Sequence, residues 1–145
     1  MGTGLLHTHS LFRWLAAVFL LIAIIKSLSG WLGKKEYNKS DNLVAILLIS
    51  FTHIQFLLGL GLYFMNGWFK QMSNMGESTI RFWAMEHGLM MLIAIVLITL
   101  GRVKSKKATT DELKHKKGAI FYIIAFVLIL WAGIIKPLAL SRGWF

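Results

Sequence analysis

His87, with Glu86 beside it, lies inside an apolar run that reads RFWAMEHGLMMLIAIVLITLG from Arg81 to Gly101. An ionisable pair inside a stretch that long is costly to place in a bilayer. It is therefore expected to face a protein interior or a cofactor. His9 holds the matching position in the first apolar run. At about 1.5 Å per residue, both histidines lie roughly 6–8 Å below the same boundary. Two level imidazoles on different helices can hold a planar ligand or a metal between them, and bis-imidazole ligation of haem iron uses this arrangement. His53 is near the middle of the second run, about 16 Å from that boundary, too deep to share an iron with His87. It is expected at the flank of the site, against a cofactor edge or a partner subunit. His7 is two residues from His9 and points to nearly the opposite side of a helix. His115 falls in a Lys-rich stretch, where a solvated role is expected.

Further residues complete a candidate haem site. Thr52, Gln55, Phe56, Gly59 and Tyr63 share one helical face at i, i+3, i+4 spacing. Gly59 and Gly61 remove side chains at the depth of the proposed pair, which lets a helix or a porphyrin approach the backbone. Arg13 is one turn after His9, and Arg81 lies at the boundary above His87. Haem propionates are anions, and arginine pairs with carboxylates in two-pronged fashion. Each residue also has a plainer reading. A membrane histidine can simply bond a neighbouring helix. Glu86 can pair with Arg13 or Arg81, and arginines can anchor helix ends at headgroups. Met85, Met90 and Met91 read as packing; Met72 and Met75 near His87 offer a weaker copper alternative.

The elements that must position these residues are four runs of spanning length, Leu5–Ile25, Leu43–Met65, Phe82–Leu100 and Ala119–Ile135, the last extending towards Leu140. The helices are expected over about 5–32, 42–66, 79–102 and 116–140, in one domain, 1–145. Mean hydropathy is +0.65 and 57% of residues are hydrophobic, above the roughly 45–50% of soluble domains. There is no cysteine, which excludes disulfides, thiolate metal sites and thioether-bound haem. The net charge of +10 sits in loops between the runs, so anionic lipid explains it better than nucleic acid. Lys34, Lys35 and Lys39 fill the first loop. Seven further Lys/Arg between Arg102 and Lys117 fill the third. The positive-inside rule then puts these loops in the cytoplasm and both termini outside. Trp14, Trp68, Phe69, Trp83 and Trp144 read as interfacial anchors. The first run has no basic leader segment and no A-x-A-like cleavage site, and is read as a retained helix. Short connections favour antiparallel neighbours. The expected fold is all-α: an integral-membrane, antiparallel four-helix bundle, multi-pass in the bacterial inner membrane with N-out/C-out topology.

The stretches HTHSLFRWLAAVFLLIAI, FTHIQFLLGLGLYF and FWAMEHGLMMLIAIVLITLGR, in this order, resemble one four-helix half of haem A synthase. By that resemblance His9 and His87 match the two haem-ligating histidines, and Gln55 and Gly59 match the Gln-x-x-x-Gly element between them. Over nearly its full length the chain also resembles small bacterial four-helix membrane proteins labelled cytochrome b-like, through HSLFRW, THIQFLLGL, AMEHGLMMLIAIVLITLGR and KHKKGAIFYIIA. The synthase has two such units and an extracellular cysteine pair; one unit and no cysteine are present here. These resemblances imply haem b on axial His9 and His87, with Arg13, Arg81, Gln55, Gly59, Glu86 and His53 around it. With both axial positions filled, the expected role is one-electron transfer, with quinol or a periplasmic carrier as partner, rather than stand-alone enzyme catalysis. The alternatives are a non-catalytic subunit of a larger respiratory or membrane complex, and a haem-handling protein. A transporter is disfavoured, since no helix is broken by proline and no inverted repeat is visible.

Overall fold

The computed structural model describes residues 2–65, 67, 76, 81 and 85–135, with the backbone alone for 2, 3, 5, 6 and 133–135. It contains helices α1 (Gly2–Leu32), α2 (Lys39–Met65), α3 (His87–Lys107) and α4 (Asp111–Ile129). A π-helical segment, Leu130–Ile135, continues α4. All four helices contain spans long and apolar enough to cross a membrane. They form an antiparallel bundle in which each helix packs beside the next, and α4 returns to α1. Three of the four seams are close. The seam between α2 and α3 is the loosest.

Side-chain size sorts by face. The core holds Leu20, Leu48, Ile98 and Tyr122, but much of the buried surface is alanine: Ala16, Ala23, Ala94, Ala119 and Ala125. Large apolar side chains such as Leu21, Ile46, Leu57, Val96 and Val127 point outward. In water that distribution would be unfavourable. In lipid it is the expected one, because small residues bring helices together where no hydrophobic force does so. On the α1/α2 seam the Phe51 ring packs against Phe12 and Phe19, with centroids at 5.9 and 5.1 Å.

The connections are shorter than the charge pattern suggests. Asn38 and Asp41 cap α2 reciprocally: Asp41 N–H donates to Asn38 Oδ1 at 3.1 Å, and Asn38 N–H to Asp41 Oδ2 at 3.0 Å. The stretch from Gly101 to Lys117, expected as a loop, is helical except for 108–110. Lys104, Lys106 and Lys107 occupy the last turn of α3, where cations suit the helix dipole. Thr110 caps α4, its Oγ1 accepting from Leu113 N–H at 3.2 Å, ahead of Asp111 and Glu112. Thr110→Ala should cost about 1 kcal/mol, read as a lower unfolding midpoint in detergent; an unchanged midpoint would mean that the cap contributes nothing. The expected end near Leu140 and the anchors Trp68, Phe69, Trp83 and Trp144 lie outside the described residues, as do Met72 and Met75.

The early start of α4 corrects the expectation for His115. Its ring is 2% exposed, not solvated. It lies over Gly30 of α1 and packs against the Tyr37 ring at a tilt of 52°, centroid to centroid 5.2 Å. Arg102, also buried, donates from Nη1 to the Tyr37 hydroxyl at 3.2 Å and from Nη2 to Asn42 Oδ1. Burial pushes the Tyr37 phenol above its ordinary value, against the opposing pull of Arg102. Lys26 pairs with Asp41 at 3.4 Å. These groups tie the first connection to α3 and α4, at the end of the bundle remote from His9 and His87.

Candidate functional site

At the other end a cavity of about 390 Å³ opens among the helices. That volume is within the usual range for small-molecule sites, about 300–1,000 Å³. α1 contributes His9, Arg13 and Ala16 to its wall. α2 contributes a strip from Thr52 to Phe64, and α3 a strip from His87 to Ile95, with Met85 just before it. Thr52 to Phe64 amounts to about 18 Å of helix. The floor is closed by the packed core, where Leu48 and Ile98 have no exposed surface.

The five-residue face of α2 read from the sequence, Thr52, Gln55, Phe56, Gly59 and Tyr63, lines this cavity in full. Thr52 brings little polarity to it, because its hydroxyl donates back to Leu48 O at 2.9 Å. Gly59 has a defined use. A Cβ there would stand 3.3 Å from His9 Cε1, so the bare backbone is what the imidazole rests against. Gln55 Nε2 is 3.4 Å from His9 Nε2, longer than a full hydrogen bond. Gln55 Oε1 is buried with no hydrogen-bond partner among the described residues. Such a group costs about 1–3 kcal/mol. Arg13 is 8% exposed, and its guanidinium lies 5.2 Å from the centre of the Trp14 ring.

His87 reaches the cavity from α3, diagonally across the bundle from α1. Its Nδ1 is 2.7 Å from the carbonyl oxygen of Ala132. A carbonyl only accepts, so Nδ1 carries the proton and Nε2 keeps the lone pair. This is the arrangement by which proteins fix the tautomer of a ligating histidine. The sequence reading did not include Ala132.

The remaining candidates are elsewhere. His53 is exposed on the outside of α2 and does not line the cavity; its Nδ1–H donates to Ile49 O at 2.7 Å within the helix. The flanking role expected for it at the cofactor edge is not what the fold provides, since one residue after Thr52 turns the side chain by about 100°. Arg81 and Glu86 also stay off the wall. They pair with each other, Nε to Oε1 at 2.8 Å, near the surface, so Arg81 does not join Arg13 at the cavity. No group of three or more His, Cys, Asp or Glu converges among the described residues. His9 and His87 are the two histidines that line the cavity. Comparison with protein-family models, curated proteins and solved structures returns no match to this chain.

Proposed function

We propose that the chain is a b-type haem-binding membrane protein in which His9 and His87 take the two axial positions of the iron. The observation that carries this reading is one apolar cavity lined by both imidazoles from diagonal helices, with the His87 tautomer set by the Ala132 carbonyl. Other residues fit the same group. Gly59 leaves room beside His9. Arg13 offers a buried cation for propionate, and Gln55 offers a primary amide whose rotation presents either donor or acceptor. Haem so held supplies reversible one-electron chemistry. The protein's part is to fill both axial positions and exclude water. The resulting role is electron transfer in or near a respiratory chain rather than oxygen chemistry. Positive-inside topology puts the cavity near the outer face of a bacterial inner membrane, with both termini outside.

A second reading, a subunit of a larger membrane complex, draws on His53, whose imidazole is exposed on a face otherwise occupied by Ile54 and Leu57. A reduced-minus-oxidised spectrum with a pyridine haemochrome assay on protein purified in mild detergent separates the two. A low-spin signal near one haem per chain supports the first. No haem after expression with excess haem available rejects it. His53→Ala should leave the low-spin spectrum within about a tenth of the parent intensity, since second-sphere losses matter only where a ligand is contacted. Conversion to a high-spin spectrum would make His53 a ligand.

A further inference from the structure

The cavity wall and the outer surface of the bundle share side chains. Leu60 and Phe64 of α2, and Leu89 and Leu92 of α3, line the cavity. The same four are 39%, 59%, 51% and 43% exposed. They stand on either side of the α2/α3 seam, the loosest of the four. The cavity therefore reaches the outside between these two helices. The rim is apolar, and Leu60 lies about 7.5 Å inside the end of α2, within a stretch apolar enough to span a membrane. An opening framed by leucine and phenylalanine would expose apolar surface at a cost in water and at none in hydrocarbon.

We propose that this seam is a lateral portal through which the cavity is filled from the hydrocarbon phase. The class of ligand admitted is a largely apolar, membrane-dissolved molecule with an anionic edge, which Arg13 meets inside. The inference takes only the identity of the occupant, haem, from the function proposed above. Towards the lysine-rich end the cavity meets the packed core, where Leu48 and Ile98 have no exposed surface. An apolar molecule crossing the rim exchanges lipid contacts for contacts with the cavity wall and never has to enter water.

The absence of cysteine makes a direct test available. Single-cysteine variants Leu60→Cys, Leu89→Cys, Val96→Cys and Lys106→Cys are labelled with a nitroxide and placed in phosphatidylcholine vesicles. Val96 is exposed on α3 away from the cavity, and Lys106 lies at the opposite, charged end. Paramagnetic resonance then measures collisions with oxygen, which dissolves in lipid, and with a water-soluble nickel chelate. The expected result is oxygen-dominated relaxation at 60, 89 and 96, the reverse at 106, and haemin slowing nitroxide motion at 60 and 89 but not at 96. Nickel access at 60 and 89 equal to that at 106 would overturn the portal, because the opening would then face water. Exclusion of both reagents from 60 and 89 would also overturn it, because the rim would then be covered by another chain. Lipid exposure with no response to haemin would leave the portal standing and remove haem as its occupant.

Discussion

Purified His87→Ala protein should carry no haem, with its low-spin absorbance lost and its haem affinity down by more than about 100-fold. The expectation rests on the unusual preparation of this side chain. Its Nδ1–H is committed to Ala132 O at 2.7 Å, so the ring can turn only Nε2 to a ligand. Removing it takes away an axial nitrogen and strands one carbonyl, at a cost of roughly 1–3 kcal/mol. The bundle should survive that loss, because Leu20, Leu48 and Ile98 of the core are not part of the cavity wall that His87 lines. A symmetrical elution profile and an unchanged helical circular dichroism spectrum would verify this. Full retention of haem in a folded His87→Ala protein would remove His87 from the site. His9→Ala should lose the same signal, and Gly59→Ala, which presses a methyl to 3.3 Å from the His9 ring, should perturb it without abolishing it.

Gly30→Ala should destabilise the bundle by about 1–3 kcal/mol without touching the cavity. A Cβ at Gly30 would lie 2.4 Å from Cε1 and Nε2 of His115, closer than any tolerated contact. The ring has little freedom to retreat, being 2% exposed and packed against Tyr37. The strain would then fall on the packing of α1 against α4. The measurement is the thermal midpoint in detergent, with His115→Ala and the double variant completing a cycle. If the clash is the cause, adding Gly30→Ala to His115→Ala should cost less than about 0.5 kcal/mol. An unchanged midpoint for Gly30→Ala alone would show that the helices separate there freely.

These two sites differ in how far the sequence revealed them. The cavity wall was largely legible, because helical periodicity puts Thr52, Gln55, Phe56, Gly59 and Tyr63 on one face whatever the tertiary context. Counting residues put His9 and His87 at one depth, and both line the cavity. The His115 seat was not legible from hydropathy, since Lys114, Lys116 and Lys117 around it dominate any average. Helical phase carried the information instead: His115, Gly118, Tyr122, Ala125 and Ile129 are the buried stripe of α4. The first half of the stripe holds histidine, glycine and tyrosine rather than aliphatic side chains, which a search for apolar periodicity passes over. His53 failed for the opposite reason. Depth along a helix can be counted in the sequence, but its azimuth depends on which face meets the bundle, and His53 is one residue off that face. The π register at Leu130–Ile135 has no counterpart in the sequence reading.

The loose seam bears on the lifetime of the chain in a cell. Helices α2, α1, α4 and α3 pack in a ring whose loosest seam, among the described residues, lies between the two arms α2 and α3. A molecule that touches both arms completes the ring, so its binding energy becomes resistance to unfolding. At a hundredfold excess over its dissociation constant it adds about 2.7 kcal/mol. On the function proposed above, an empty chain would lack that brace along α2 and α3. Quality-control proteases acting on opened chains would then remove empty copies and spare filled ones. The abundance of the protein would follow the supply of its cargo without any regulator of its synthesis.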